Sequence, residues 1–213
     1  LFLSFYFASY YRPLTYYSMI KLEHNQTKRY LSASQLSFEG GSRQMLTRAS
    51  SKDYLAESIW TILPQNFSSP NPELNKLEEE FIKNNHVNQG DLVQCNDIVQ
   101  LYHTTSRGFL HTHNFFSFLG RGYEMTSFTE VDKGNWWYVR CDEDDEIPIF
   151  GHYIRLQHVS QKCSAATDSK CQLPPQNGGQ FELYCSLNSR GDELYWKVTE
   201  GIFVDKQFNE DDD

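Results

Sequence analysis

Val99-Gln100-Leu101-Tyr102-His103 is one of three near copies of a single phrase; the others are Ile20-Lys21-Leu22-Glu23-His24 and Ile154-Arg155-Leu156-Gln157-His158. A second phrase closes each copy: Trp60-Thr61-Ile62, Trp137-Tyr138-Val139 and Trp196-Lys197-Val198 stand 36, 34 and 38 residues after His24, His103 and His158. Two short phrases recurring in register mark a triplicated unit, and repetition at this period fixes the architecture before any residue is considered singly.

Within each opening phrase apolar side chains alternate with polar ones, as Val99, Leu101 and His103 do against Gln100 and Tyr102. Period two is the signature of a strand with one buried face. A turn and a second short apolar strand follow: Tyr30-Leu31-Ser32-Ala33-Ser34 in the first unit, Phe109-Leu110-His111-Thr112-His113 in the second, and the stretch from Cys163 to Ala166 in the third. A glycine-bearing loop leads to a third strand near Gln44 to Thr47, Glu124 to Phe128 and Gln180 to Cys185, and the tryptophan phrase makes the fourth. Three units of four short strands without helical crossovers predict an all-β, closed β-trefoil. The outer strands of each unit would build a six-stranded barrel, and the middle pairs a triplet of capping hairpins. One unit cannot bury its apolar face alone, so stability must come from closure of all three.

The predicted repeats run over about 17–63, 93–142 and 148–204. Between the first two lies an insertion, about 64–90, in which Pro64 to Pro72 reads as a loop. Leu74, Leu77 and Phe81 then recur at helical spacing and predict a short surface helix near 73–84. Residues 1–16 read as the remnant of a signal-peptide core or a disordered segment, because Leu1 to Ala8 are apolar and aromatic; a strand or a piece of membrane anchor is the alternative. No other long apolar run follows, so no stable membrane span is expected. Residues 205–213 form an acidic tail.

The 213 residues carry a formal charge of −9, with an acidic run at Asp142 to Glu146 and an acidic end at Glu210 to Asp213. That balance excludes nucleic acid as a main partner. Both runs read as solvated segments.

His24, His103 and His158 occupy one position in all three units. A catalytic group is needed once, whereas a strand-end residue that fastens a loop is needed in every copy, so recurrence assigns these histidines to the scaffold. Trp60, Trp137 and Trp196 read in the same way, as core anchors. The places where the units differ carry more information. His111 and His113 share one face of a strand where the first unit has Ser32 and Ser34, and with Arg107 and Phe109 they are the candidate binding residues, with His103 nearby. A His-x-His pair supplies two ligands where zinc needs three or four, so no metal is expected, and no motif calls for a cofactor. No Gly-x-Ser-x-Gly, phosphate-binding glycine loop or paired carboxylates occur, and no Cys-x-x-Cys supports redox catalysis. Asn25-Gln26-Thr27 and Asn66-Phe67-Ser68 fit the glycosylation sequon.

Five cysteines remain. Cys95 precedes the first strand of the second unit and Cys141 follows its fourth; were those strands neighbours, a disulfide would close a loop of about 47 residues and contribute on the order of 4 kcal/mol. Cys163 and Cys171 are placed to bridge a hairpin around Thr167-Asp168-Ser169, which leaves Cys185 as a core residue.

With Val99-Gln100-Leu101-Tyr102-His103, Gly108-Phe109-Leu110-His111-Thr112-His113 and Trp137-Tyr138-Val139 in order, the chain resembles the MIR-domain proteins. This trefoil module is shared by protein O-mannosyltransferases, inositol trisphosphate receptors and ryanodine receptors. Within that group, Tyr195-Trp196-Lys197 followed by Glu200-Gly201-Ile202-Phe203 is similar to the stromal cell-derived factor 2 family, as is the placement of Cys95 and Cys141. Two departures stand out: the family usually repeats Leu-His-Ser-His in the first unit, where this chain has Leu31-Ser32-Ala33-Ser34, and the insertion from about Pro64 to His86 is longer. The resemblance implies a non-enzymatic protein of the endoplasmic reticulum lumen that serves folding quality control. Its implied partners are a luminal J-domain co-chaperone, the luminal heat-shock chaperone, and misfolded or O-mannosylated clients. A luminal MIR portion of a protein O-mannosyltransferase and a glycan-binding trefoil lectin are the alternatives.

Overall fold

The computed structural model of the protein describes residues 12–37, 41–51, 56–67, 87–141, 147–175, 179–188 and 190–206. The predicted helix of the insertion, both acidic runs and Leu1 to Ala8 lie outside these residues.

The first unit supplies β1 (Met19–His24), β2 (Tyr30–Ser37), β3 (Met45–Ser50) and β4 (Trp60–Pro64), and the second β5 (Ile98–His103), β6 (Gly108–Phe116), β7 (Tyr123–Phe128) and β8 (Trp137–Cys141). The third adds β9 (Tyr153–His158), β10 (Ser164–Ala166), the two-residue β11 (Phe181–Glu182), β12 (Tyr184–Ser186) and β13 (Trp196–Ile202). The first and fourth strands of the units pair in a ring: β1 with β4, β4 with β5, β5 with β8, β8 with β9, β9 with β13, and β13 back to β1. All six pairings are antiparallel, and the ring has no open edge, so no row of backbone groups is left to recruit a foreign strand. The hairpins β2–β3, β6–β7 and β10–β12 close on one another through β3–β7, β7–β12 and β3–β11. A six-stranded barrel capped by a hairpin triplet is a β-trefoil.

The period-two pattern fixes which side chains enter. Along β9, Ile154, Leu156 and His158 are buried while Tyr153, Arg155 and Gln157 are half-buried. On neighbouring barrel strands Ile62 pairs with Leu101, Val139 with Leu156 and Leu22 with Val198, and these residues share one core with Trp60, Trp137 and Trp196. All three indoles are fully buried, and each Nε1–H donates to a backbone carbonyl on the second strand of its own unit: Leu31 at 2.9 Å, Leu110 at 2.8 Å and Ala165 at 2.9 Å. Closing the indole donor in this way removes the cost of burying it unpaired.

Two expectations need correction. The domain begins upstream of residue 17: Leu14 is fully buried, its N–H donates to the Pro148 carbonyl, and its own carbonyl accepts from Val93. Leu14 and Tyr16 point inward by the same alternation that organises the strands, so residues 12–16 are part of the fold. Cysteine pairing also differs. Cys95 bonds Cys141 as the strand ends suggested, but Cys163 bonds Cys185 and Cys171 is the buried free thiol. The β10–β12 register, with Ala165 opposite Cys185, puts Cys163 and Cys185 diagonally on one face. Cys171 instead packs in a separate cluster with Ala166, Tyr184 and Leu194.

Candidate functional site

The repeated histidines are built into one device. In each unit the strand ends on a histidine whose Nδ1 accepts the backbone N–H three residues on, from Thr27 at 3.2 Å, Ser106 at 3.1 Å and Gln161 at 3.0 Å. Accepting at Nδ1 places the ring proton on Nε2. In His24 and His158 that proton is donated to a carbonyl of the short 3-10 turn preceding a tryptophan, Glu193 at 3.0 Å and Gly134 at 3.2 Å. Each ring also packs, tilted or edge-on, against the tryptophan of the preceding unit in the closed ring: His24 against Trp196 and His103 against Trp60 at 4.9 Å, and His158 against Trp137 at 5.0 Å. Burial lowers all three pKa values, that of His158 to about 4, so the rings are neutral at physiological pH.

The second unit departs from this symmetry around a cleft of about 300 Å³ lined by His111, His113 and Phe128 of the β6–β7 hairpin, Asp132 to Gly134, Gln44 from the first unit, and His158, Ser160 and Gln161 from the third. His111 is 3% exposed, and its Nδ1 lies 2.9 Å from Asn135 Oδ1 and 3.4 Å from Asp132 Oδ1. The Asn135 amide donates its Nδ2–H to the Glu130 carbonyl at 2.8 Å, which orients Oδ1 as the acceptor for a proton on His111 Nδ1. His111 Nε2 is thereby left with a lone pair. Burial lowers the His111 pKa, although Asn135 and Asp132 oppose the shift. His113 stands edge-on to His111 at 5.1 Å, and its Nε2 lies 3.1 Å from Oε2 of the buried Glu124, which also accepts from the Ser42 N–H.

The 3-10 turn Lys133–Asn135 holds the pieces together. Asp132 caps it by accepting from the Gly134 N–H at 2.7 Å, and Gly134 has no room for a side chain, since a Cβ there would sit 2.1 Å from His111 Cε1. Chemically the cleft offers donors and acceptors in fixed orientation beside one aromatic face. Its histidine nitrogens at Nδ1 of His111, Nε2 of His113 and both positions of His158 have protein partners that fix the rings. Among the described residues no group of three or more metal-ligating side chains converges.

Of the four residues singled out in the sequence, the structure brings His111 and His113 together and leaves the other two elsewhere. Arg107 is exposed in a left-handed turn position with φ of 54°, and Phe109 is buried against Tyr102 and Phe67 at 5.2 and 6.2 Å. His103, expected nearby, is committed to Trp60 and Ser106; the third imidazole of the cleft is His158. Asp132, Gly134, Gln44 and Gln161 were not anticipated. Their only sequence signal was the Asp132-Lys133-Gly134-Asn135 stretch, whose aspartate and glycine suit a capped turn before Trp137.

No family model matches the chain. It is 28% identical over 202 residues to a stromal cell-derived factor 2-like protein of Dictyostelium discoideum, covering 91% of this chain and 85% of the relative. It is 26% identical over 206 residues to protein O-mannosyl-transferase 2 of Drosophila melanogaster, but spans only 25% of that protein. The crystal structure of the SDF2-like protein from Arabidopsis thaliana superposes with a TM-score of 0.77 at 24% identity, over 91% of this chain and 98% of the other. Through its sequence repeats and its trefoil alike, the chain resembles the stromal cell-derived factor 2-like proteins.

Proposed function

We propose that the protein is a non-enzymatic binding module of the endoplasmic reticulum lumen that serves protein-folding quality control. It would hold a J-domain co-chaperone with the luminal heat-shock chaperone and engage misfolded or O-mannosylated clients. The observation that carries this reading is likeness along nearly the full length of both chains to a stromal cell-derived factor 2-like protein. Two disulfides support an oxidising compartment, where such bonds persist. A rigid barrel with a polar cleft suits capture of a partner.

Affinity purification of the tagged chain from luminal extract tests the reading: the co-chaperone and heat-shock chaperone should co-purify in comparable amounts. Recovery of neither would defeat it. The match to the Drosophila mannosyltransferase favours a second reading, a luminal portion of such an enzyme, which predicts long hydrophobic segments on both sides in the complete open reading frame. His111, His113, Arg107 and Phe109 remain the residues to test, with Gln161 added. Gln161→Ala should reduce client capture while the melting temperature holds, whereas a lowered melting temperature with unchanged capture would make the residue structural.

A further inference from the structure

Beyond the cleft, β6 runs into a cluster of exposed apolar side chains. Phe115, Phe116, Phe118 and Leu119 are 49%, 74%, 51% and 38% exposed, four large apolar side chains within five positions. One strand over, Cys185 pairs with Tyr123, which carries Leu187, 58% exposed, toward the same end. A hairpin turn would ordinarily be polar, so a run of this kind at a tip marks an interaction site or an aggregation hazard.

The tip is held in shape. Ser117 N–H donates to the Gly122 carbonyl and Gly120 N–H to the Ser117 carbonyl, both at 2.9 Å, and Arg121 N–H donates to Ser117 Oγ at 3.0 Å. From the third unit Glu182, 1% exposed, reaches across so that its two carboxylate oxygens accept the Leu119 N–H at 3.1 and 3.3 Å. A buried carboxylate is costly, and here it fixes a turn that displays phenylalanine rings to solvent. Such fixing lowers the entropy lost when a partner binds. The surface also continues into the cleft, because the Phe115 ring lies 4.9 Å from the His113 ring.

We propose that the β6–β7 tip is a docking surface for an extended, apolar segment of a non-native polypeptide, with the phenylalanine rings as anchors and the neighbouring cleft taking its polar groups. The exposed area of the tip, roughly 500 Å², falls short of the about 800 Å² per partner that stable dimers bury, which disfavours a second copy of this chain. The molecule's net charge of −9 opposes approach to an anionic membrane, so an apolar polypeptide segment fits the tip better than an anionic lipid surface. The assignment rests on the quality-control reading, since it names where a client would touch.

The test measures fluorescence anisotropy of labelled, reduced and carboxamidomethylated lysozyme, an unfolded basic polypeptide, against the full chain. Phe116→Ser with Phe118→Ser should weaken binding by at least about tenfold, as loss of two central anchors does. Capture of the chaperone partners from luminal extract should be unchanged. If that double variant does not fold, Phe116→Ser alone, at the most exposed ring, should weaken binding about threefold or more. Unaltered binding by a folded variant overturns the assignment, as does a wild-type chain that ignores the unfolded probe. Either result leaves the quality-control reading to stand or fall on co-chaperone capture. Phenylalanine-dependent flotation with neutral phosphatidylcholine vesicles, or phenylalanine-dependent dimerisation in sedimentation equilibrium, would also overturn it, in favour of a membrane or a second copy.

Discussion

At the scale of single residues, the histidines that look alike in sequence differ in what they do. His24, His103 and His158 clamp a strand end to a turn and a neighbouring tryptophan, whereas His111 turns the same chemistry toward a cleft. All four have pKa values lowered chiefly by burial. The unfolded chain takes up these protons near pH 6.5, while folded His158 resists to about 4. The stability they provide is therefore present above 6.5 and is lost as pH falls through that window. Thermal unfolding followed by circular dichroism should show the melting temperature dropping steadily below about pH 6.5, and a flat profile would mean the rings are not buried neutral. His111→Ala should itself cost about 1–3 kcal/mol in urea unfolding, because it leaves Asn135 Oδ1 buried without its donor. The repeated histidines could be recognised as scaffold from recurrence alone. The partners of His111 could not, since Asn135 and Asp132 lie more than twenty residues away, in the turn between β7 and β8.

At the scale of elements, strands were legible and their connections less so. Alternation in the opening phrases located β1, β5 and β9, and the tryptophan phrases located β4, β8 and β13, because each such strand buries one face in a common core. The third unit's hairpin broke into the short pieces β10, β11 and β12, and its disulfide could not be chosen from spacing, because diagonal pairing across a hairpin depends on register. The apolar tip escaped notice for a related reason: a run such as Phe115-Phe116 reads as buried strand until the ladder shows where it ends. Two substitutions probe these connections. A Cβ at Gly122 would meet the Cys185 carbonyl oxygen at 2.2 Å, and that obstacle is backbone, so Gly122→Ala should destabilise by about 1–3 kcal/mol in chemical unfolding. Glu182 has its pKa raised from 4.5 to about 7, first by burial and against the amides of Leu119 and Phe118. The folded state thus holds a proton that the unfolded state releases, so this group's contribution is present below 4.5 and is lost as pH rises to about 7. The stability of Glu182→Gln relative to wild type should accordingly increase between about pH 5 and pH 8, the opposite slope from the histidines. A pH-independent difference would show that Glu182 is ionised throughout.

At the scale of the whole molecule, closure decides both stability and the presentation of the site. Each contact between a repeated histidine and a tryptophan crosses from one unit to the next, and so does the cleft, which draws residues from all three. No unit can therefore unfold without breaking contacts in its neighbours. Local disulfides act on this cooperative body differently from core anchors. Cys95 and Cys141 tie the two ends of one unit across a sequence separation of 46, and Cys163 and Cys185 tie a hairpin across 22. Chain entropy then gives about 4 and about 3 kcal/mol respectively, so Cys95→Ser with Cys141→Ser should destabilise slightly more than Cys163→Ser with Cys185→Ser. Trp60→Ala, Trp137→Ala and Trp196→Ala should each cost about 3–5 kcal/mol despite lying in different units, because each empties one third of the same core and strips a stacking partner from the next unit. Tryptophan fluorescence and far-ultraviolet dichroism, followed together through urea, should trace one coincident transition in every variant. A variant in which one unit melts ahead of the others would show that the repeats are strung together rather than closed, and the cleft they jointly line would then have no fixed geometry with which to bind.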